Sequence, residues 1–177
     1  KQQKISSTDF YATAPNQKWA TDVTEFKVPG EKKKLYLSAI IDLYDRYPVA
    51  YVVSARNDNR LIFKTFDKAI AANPDAKPIF HSDRGFQYTS QAFYSRLKKH
   101  HMKQSMSRVA HCIDNGPMEG FWGILKREMY YGKRFTSKEE LIQGIQDYIE
   151  YYNNRRLQSK LHIMTPMAFH ELTLKAA

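Results

Sequence analysis

The spacing of apolar residues divides the chain into segments of different period. Residues 1–16 are polar, end in Ala14-Pro15-Asn16 and show little periodicity, which predicts a linker that arrives at a folded domain. Three extended apolar segments follow on short connections, and the first two are separated by the turn residues Pro29-Gly30-Glu31. These segments predict an antiparallel meander of three strands, at Trp19–Val28, Leu35–Leu43 and Pro48–Ser54.

Helical spacing begins after the third strand. Leu61, Phe66 and Ile70 lie on one face of a predicted helix that begins at the cap cluster 57–59 and ends at Asn73-Pro74. Later helices are predicted after Ser90, from Pro117 to about Tyr131, and from the capping box Ser137/Glu140 through Tyr152. Short strands are predicted at Pro78–His81 and Lys103–Ser107. The predicted order is therefore βββ-α-β-α-β-α-α.

The composition agrees with one folded domain. The chain has 177 residues, of which 42% are hydrophobic and 14% aromatic, and this is too rich in core formers for a disordered chain. Its single cysteine, Cys112, excludes an intrachain disulfide and a cysteine-based zinc finger, which favours a reducing cytosol. The apolar runs are too short for a membrane span. Because the chain starts at Lys1 rather than Met, we expect it to be a piece of a longer protein.

The charge of the chain indicates a polyanionic partner, either nucleic acid or an acidic membrane surface. The formal net charge is +10, and residues 59–113 carry ten Lys and Arg against three Asp and Glu. Solvated helix faces are the alternative explanation of this excess. If the partner is DNA, the predicted contacts in this basic third are Lys98, Lys99 and Lys103.

Three carboxylates occupy unusual positions in the predicted elements. Asp22 lies inside a strand, Asp83 just after a strand end, and Glu119 in the first turns of a helix. Since strands disfavour Asp, such a residue indicates either a structural hydrogen bond or a metal ligand. For one acid alone the structural explanation is the simpler one, but three acids in these positions favour a metal site. Oxygen ligands of this kind suit Mg²⁺ or Mn²⁺.

The segments around these acids resemble the three active-site blocks of the transposase and retroviral-integrase superfamily. The blocks are Thr21-Asp22-Val23-Thr24, His81-Ser82-Asp83-Arg84-Gly85 and Asp114-Asn115-Gly116-Pro117-Met118-Glu119, with 35 residues between Asp83 and Glu119. The tail Tyr151-Tyr152-Asn153-Asn154-Arg155-Arg156, followed by Thr165-Pro166, is similar to that of insertion-sequence-three transposases, in the product of their second reading frame. The resemblance covers about residues 15–172.

This resemblance implies an α/β, ribonuclease-H-like fold, with a five-stranded mixed sheet flanked by helices. It implies a catalytic core over residues 17–177 with a C-terminal helical tail, and a missing DNA-binding region before the linker. Asp22 would bridge two Mg²⁺ or Mn²⁺ ions, and Asp83 and Glu119 would each hold one. The implied activity is hydrolysis at the ends of a DNA element followed by strand transfer. The implied setting is the bacterial cytoplasm and nucleoid, with a homo-oligomer assembled on DNA.

Several other residues have two interpretations. Lys126, two helical turns after Glu119, matches a position where retroviral integrases carry a lysine that meets the DNA end, although it could be a solvated helix lysine. Arg84 would form an ion pair or contact phosphate, and Asp114-Asn115 would cap a helix or contact DNA. His81 is expected to orient its neighbours. Arg155-Arg156 are expected to make packing, interdomain or DNA contacts.

Two other functions remain open at this point. The first is a ribonuclease-H-like nuclease that cuts DNA without joining it, because both enzymes would use the same metal chemistry. The second is a non-catalytic DNA-binding or assembly module, which the presence of all three acids disfavours. Metal-dependent nicking would separate the second from an enzyme, and a joined product would separate the first from a transposase.

Overall fold

The computed structural model describes residues 10–107 and 115–177, and these form a five-stranded mixed sheet with helices on both faces. The first nine residues of the predicted linker, Cys112 and Asp114 lie outside the described residues. The strand order is β3-β2-β1-β4-β5. The strands span Lys18–Phe26 (β1), Leu35–Asp42 (β2), Pro48–Ser54 (β3), Ile79–Ser82 (β4) and Lys103–Met106 (β5).

The first three strands form the predicted antiparallel meander, and β4 and β5 extend the sheet in parallel. In the β1–β2 ladder Asp22 lies opposite Ala39, near the middle of both strands. On the other side of β1, Ala20 is paired with His81 of β4. Two residues further along both parallel strands are Asp22 and Asp83, so the topology places these two acids side by side at the carboxyl end of β4.

Five α-helices and two short helical turns complete the described part of the chain. Three of the predicted caps are present, because the side chains of Asp58, Ser90 and Ser137 accept backbone N–H groups at the starts of α1, α2 and α4. The α-helices span Asn59–Ala72 (α1), Gln91–Lys99 (α2), Gly116–Leu125 (α3), Lys138–Asn154 (α4) and Pro166–Ala176 (α5).

The alternation of side chains along β1 separates two hydrophobic cores, one on each face of the sheet. Ala20 and Phe26 face the core that α3 and α4 cover, whereas Trp19 faces the core that α1 and α2 cover. Asp22 is separated from Ala20 and Phe26 by even numbers of positions along β1, so its side chain lies on the same face of the sheet as theirs. It therefore points toward α3, the helix that carries Glu119.

The structure departs from the sequence-based expectation in its last third. The helix predicted from Pro117 to about Tyr131 ends as an α-helix at Leu125, and Lys126–Tyr130 form a π-helical turn. A 3₁₀ turn at Ser159–Leu161 and the helix α5 extend the predicted order beyond its final helix. In the described residues no helix has the length and apolar character needed to cross a membrane.

Candidate active site

Asp22 projects from the middle of β1 and is held by the indole of a neighbouring helix. Trp122 on α3 donates its Nε1–H to Asp22 Oδ2 at 3.0 Å, across 100 residues of sequence. Burial is the main reason that the pKa of Asp22 is raised to about 6, and the charges of Asp83 and Glu119 raise it further. Hydrogen bonds from the Val23 backbone and from Trp122 oppose this increase.

Asp83 follows directly after β4, in a loop whose geometry depends on Gly85. The backbone N–H of Gly85 donates to Asp83 Oδ1 at 2.8 Å, which fixes the direction of the carboxylate. A Cβ atom at position 85 would lie 2.9 Å from the same oxygen, so a larger residue would displace Asp83. The glycine in the block around Asp83 therefore supports the orientation of the acid.

Glu119 is exposed in the first turn of α3 and completes the group of three acids. The helix begins with Asn115 at the capping position, but the Asn115 side chain makes no capping hydrogen bond, and its buried Oδ1 has no hydrogen-bond partner among the described residues. The charge of Glu119 acts on the pKa of Asp22, as does that of Asp83. The structure thus brings the three predicted acids into one electrostatic group, built from β1, the end of β4 and α3.

Beneath the acids lies a buried polar layer. The hydroxyl of Tyr88 is 3.3 Å from that of Thr21, and Thr21 in turn donates to the Ala39 carbonyl at 2.9 Å. Burial raises the pKa of Tyr88, so its hydroxyl remains neutral next to Asp22 and Asp83. His81 binds hydroxyl groups through both ring nitrogens, at 3.0 Å to Ser105 and 3.3 Å to Ser107. His81 is therefore engaged with β5 and the residue that follows it.

The chemistry of the three acids fits divalent cations, although they are not gathered as tightly as a preformed chelate. Carboxylate oxygens are the ligands that Mg²⁺ and Mn²⁺ prefer. Among the described residues, a set of three potential ligand atoms within 4.8 Å of one another occurs at Asp42, Asp45 and His170 rather than at the three acids. The predicted site is therefore more open than this second cluster.

The second cluster is fully occupied by internal hydrogen bonds. Asp42 accepts the backbone N–H groups of Asn16 at 2.6 Å and of Tyr44 at 3.0 Å, one on each oxygen. Asp45 lies 2.6 Å from His170 Nδ1, which joins helix α5 to the β2–β3 turn. Burial and the charge of Asp45 raise the pKa of Asp42 to about 6. These contacts indicate a structural anchor for the C-terminal helix.

Lys126 lies at the first position of the π-helical turn, beyond the end of α3. Its ammonium group is 5.1 Å from the centre of the Phe26 ring, and burial lowers its pKa while Glu25 opposes that change. The structure therefore places Lys126 beside the end of β1, about four strand residues beyond Asp22. Its contact with a DNA end remains a prediction.

The other predicted DNA contacts are distributed over three parts of the surface. Arg84 donates its Nε–H to the Ser107 carbonyl at 2.7 Å. Lys103 is paired with Ile79 at the start of β4, whereas Asp83 follows the end of that strand. The basic group at the end of α2 and the start of β5 therefore lies at the opposite end of β4 from Asp83; its members are Lys98, Lys99 and Lys103.

Arg155 and Arg156 differ in their surroundings. Arg156 forms a bidentate pair with Glu128 of the π-helical turn, with N–O distances of 2.7 and 2.9 Å. Tyr148 donates to the same carboxylate at 2.7 Å. Arg155 is exposed, and its nearest carboxylate oxygen, on Glu150, is 4.0 Å away. Arg155 is the more available of the two for an external phosphate.

Sequence reasoning assigned Trp122 to the apolar stripe of its helix and did not connect it with Asp22. A signal was present, because a buried tryptophan N–H usually has a hydrogen-bond partner. The partner itself is distant in sequence, so the pair becomes visible only when β1 and α3 are packed together. The supporting role of Gly85 was missed for the same reason.

Comparison with known proteins identifies relatives of this chain. Models described as integrase core domain match residues 12–112 and 119–174. An Escherichia coli K12 protein named for a transposase of insertion sequence element IS150 is 44% identical over 170 residues, which cover 96% of this chain and 59% of that protein. A transposase-like protein of Haemophilus influenzae is 43% identical, over 94% of this chain and 76% of that protein.

A further relative is the transposase InsF of insertion sequence IS3A from Escherichia coli K12. It is 33% identical over 174 residues, which cover 97% of this chain and 60% of that protein. The chain thus spans about three fifths of the length of several relatives that it matches. These relatives bear out the resemblance to insertion-sequence transposases.

Solved structures with the same fold come from retroviral integrases. The catalytic core domain of HTLV-2 integrase, in complex with magnesium and in a dimeric form, has a TM-score of 0.66 at 21% identity and covers 89% of this chain and 98% of that one. A chain of the simian T-cell lymphotropic virus intasome has a TM-score of 0.75 at 18% identity and covers 90% of this chain and 55% of that one. The predicted ribonuclease-H-like fold is confirmed.

Proposed function

We propose that this chain, which belongs to the integrase core domain family, is the catalytic core of an insertion-sequence DNA transposase. The observation that carries the proposal is the arrangement of Asp22 in the middle of β1, Asp83 just after the end of β4 and Glu119 in the first turn of α3. The transposase names of its relatives support this function. The substrate would be the ends of a DNA element and a target strand.

The three acids would hold two Mg²⁺ or Mn²⁺ ions, with Asp22 shared between them and Asp83 and Glu119 on one ion each. The magnesium complex of a structural neighbour supports the choice of metal. When bound, such ions stabilise the charge that develops on the attacking and leaving oxygens of a phosphodiester. Burial raises the pKa of Asp22 most, and the negative charges of Asp83 and Glu119 raise it further; bound cations would neutralise the negative charge of this group.

The residues around the acids would keep them in position for this reaction. Trp122 orients one oxygen of Asp22, and the Gly85 N–H orients one oxygen of Asp83. Asp22 Oδ1 and Asp83 Oδ2, which do not accept these two hydrogen bonds, would bind the cations. Water would cut the element end to leave a 3′-hydroxyl, which would then attack the target strand. This strand transfer separates a transposase from a nuclease of the same fold.

The direct test replaces each of the three acids by alanine and measures both nicking and joining of labelled DNA ends in Mn²⁺. We expect Asp22→Ala, Asp83→Ala and Glu119→Ala each to reduce both activities to background, because each removes a metal ligand. DNA binding in chelator should change little. Asp75→Ala, an exposed acid before β4, is the matched control and should retain activity.

The outcomes of this test separate the candidate functions. Nicking without any joined product from the wild type would identify a nuclease. Substantial activity in one alanine variant would remove that residue from the metal site.

Because the joining of two element ends needs two active sites, we also propose that the protein forms a homo-oligomer on DNA. The dimeric form of the HTLV-2 integrase core supports that arrangement.

A further inference from the structure

A basic groove lies next to the candidate active site, between the β1–β2 hairpin and the end of the π-helical turn. Its volume is about 660 Å³. The hairpin contributes several lysines to its wall, and the helical side contributes aromatic rings and one more lysine. The residues that define this hairpin groove are Lys27, Lys32, Lys33, Tyr130, Tyr131 and Lys133.

The groove carries positive charge that the described part of the chain leaves without a carboxylate partner. Glu31, the acid that lines it, is 3.2 Å from Lys138, and Lys34 is 2.7 Å from Glu25. In the described residues Lys32, Lys33 and Lys133 have no carboxylate within salt-bridge distance. These lysines are exposed. The groove is therefore suited to a polyanion such as a phosphodiester strand.

An exposed aromatic ring stands among these lysines. The side chain of Tyr131 is 63% exposed although it lines the groove, and its ring is 5.5 Å from that of Tyr130. Tyr130 is itself packed against Phe135 and Phe26. A rigid aromatic ring beside several lysines is the combination that binds single-stranded nucleic acid, since an unpaired base stacks on the ring while phosphates contact the cations.

The groove is fixed to the active site by two sets of hydrogen bonds along one strand. Trp122 of α3 binds Asp22, and eight residues later Tyr130 binds Lys27. The Tyr130 hydroxyl donates to the Lys27 carbonyl at 2.8 Å and lies 3.2 Å from the Lys27 backbone nitrogen. Helix α3 and the π-helical turn therefore run alongside β1 from the acids to the hairpin.

The distance between the two sites corresponds to a short piece of DNA. The end of β1 at Phe26 is four strand residues from Asp22, or about 14 Å at 3.4 Å per residue. That is roughly four nucleotides at the 3.4 Å axial spacing of one strand in B-DNA, and fewer in an unpaired strand, which is more extended. The ammonium group of Lys126 lies between them, over the Phe26 ring. A strand that passes the acids would reach the groove without bending far.

We propose that the hairpin groove binds an unpaired segment of DNA a few nucleotides from the phosphodiester that reacts, with phosphates on Lys32, Lys33 and Lys133 and a base on Tyr131. This inference rests on the proposed function for its choice of DNA and of the reacting phosphodiester. It adds the requirement that the DNA near the active site is locally single-stranded. A blunt duplex would then contact the lysines without placing a base on the tyrosine.

The test compares three fluorescent DNA probes, a single-stranded 20-mer, a forked duplex and a blunt duplex, by anisotropy titration in chelator. Tyr131→Ala should weaken binding of the single strand and the fork about tenfold and leave the blunt duplex nearly unchanged. Tyr131→Phe keeps the ring and should bind like the wild type. Lys32→Ala/Lys33→Ala should reduce the slope of log K against log salt for the single strand by about 1.4.

The matched control is the double variant Lys160→Ala/Lys175→Ala, which removes the same charge from exposed positions near the C-terminus and should leave all three titrations unchanged. Equal losses for the three probes, or equal losses in groove and control variants, would overturn the proposal. Tighter wild-type binding to an RNA strand of the same sequence would also overturn it. Melting curves of every variant exclude unfolding as the cause of a loss.

Nicking by the wild type is measured in parallel, so that the two proposals fail separately. If the wild type nicks and joins DNA but the groove variants bind all probes normally, the groove assignment is wrong and the function stands. If the wild type binds single strands through the groove but shows no metal-dependent nicking, the proposed function is wrong and the binding site stands.

Discussion

Asp22 and Asp83 are oriented by two different kinds of hydrogen-bond donor, a side chain and a backbone group. The donor to Asp22 is the indole of Trp122, a side chain packed in the core, whereas the donor to Asp83 is the backbone of its own loop at Gly85. Neither of these two bonds involves the other carboxylate oxygen, which is Oδ1 of Asp22 and Oδ2 of Asp83. A substitution at either donor would therefore move an acid without removing it, which allows position and charge to be tested separately.

Asp83→Asn tests whether the negative charge at this position destabilises the folded protein when no metal is present. Three acids that influence one another repel, and the isosteric amide relieves part of this repulsion while its oxygen still accepts the Gly85 N–H. In chelator we expect the variant to melt at the same temperature as the wild type or higher. Millimolar Mn²⁺ should stabilise the wild type, by about 2.7 kcal/mol at a hundredfold excess over Kd, but not the variant.

A clearly lower melting temperature for Asp83→Asn in chelator, together with an equal response of both proteins to Mn²⁺, would identify Asp83 as a structural hydrogen-bonding residue. Asp75→Asn, at an exposed position away from the acids, is the control for the loss of one negative charge.

Gly85→Ala tests the position of the same acid with its charge intact. The added Cβ would lie 2.9 Å from Asp83 Oδ1, and the carboxylate would have to rotate away. We expect metal-dependent nicking to fall at least roughly tenfold, about 1.4 kcal/mol of activation free energy, with a small change in melting temperature. Gly123→Ala, whose Cβ would meet nothing within 4 Å, is the control and should retain activity. Full activity in Gly85→Ala would show that the Asp83 orientation is unimportant.

At the scale of elements, the π-helical turn joins the candidate active site to helix α4. Glu128 of this turn accepts the guanidinium of Arg156 and the hydroxyl of Tyr148, both contributed by α4 or the residues that follow it. The paired cation lowers the pKa of Glu128, which is therefore ionised at neutral pH. Two groups, the Arg156 guanidinium and the Tyr148 hydroxyl, thus hold the turn that carries Lys126.

We predict that Arg156→Ala destabilises the protein, whereas Arg155→Ala acts on DNA binding. Arg156 makes a bidentate pair that is only partly exposed, so its loss should lower the free energy of unfolding by about 1–2 kcal/mol in urea denaturation. Arg155 is 69% exposed and should contribute less than about 0.5 kcal/mol. The expected loss of DNA affinity in Arg155→Ala is measured on the same samples; equal stabilities of the two variants would contradict the structural role of Arg156.

The elements that the sequence predicted well are those whose signals are local. The strand at Pro48–Ser54 and the caps at Ser90 and Ser137 were read from alternation and cap chemistry, and the structure confirms them. The π-helical turn was missed because an apolar stripe continues through it. The hydrogen bond from the Tyr131 N–H to the Lys126 carbonyl, five residues back, shows the longer ring of a π-helix.

The bounds of α5 within the C-terminal helical tail were not predicted, because its buried residues, Pro166 and His170, do not form an apolar stripe. His170 lies in the position that an apolar residue usually takes, and its partner Asp45 is 125 residues away. The three acids were identified because their neighbours form recognisable blocks. Their supports were not, since Trp122 and Gly85 acquire their roles only when strands and helices are packed together.

At the scale of the whole molecule, two groups of basic residues lie on separate parts of the surface. The group at Lys98, Lys99 and Lys103 is at the opposite end of β4 from Asp83, whereas the hairpin groove lies beyond the end of β1 on the same side as the acids. The count of charged residues along the sequence favoured the first group, because residues 59–113 hold the largest excess of positive charge. The second group becomes visible only in the fold, which brings the lysines of the β1–β2 hairpin close to Lys133.

The pH dependence of stability follows from two carboxyl groups in different parts of the molecule. Burial is the main cause that raises the pKa of both Asp22 and Asp42 from 3.8 to about 6. Between these values the folded state holds protons that the unfolded state has released, so stability decreases as the pH rises. Three glutamates with lowered pKa values lose their stabilising effect as the pH falls below about 4.5, so they overlap only the lower end of this window; they are Glu25, Glu128 and Glu140.

In chelator we therefore expect the free energy of unfolding to fall as the pH is raised from about 4 to 6.5, by roughly 2–3 kcal/mol for each of the two groups. Asp22→Asn should remove about half of this decrease. Millimolar Mn²⁺ should also reduce the decrease in the wild type, because the ion competes with protons for Asp22, but it should not alter the part that belongs to Asp42. Urea denaturation at five pH values, with and without Mn²⁺, measures both effects. A wild-type stability that rises across this range would show that neither carboxyl group takes up a proton on folding.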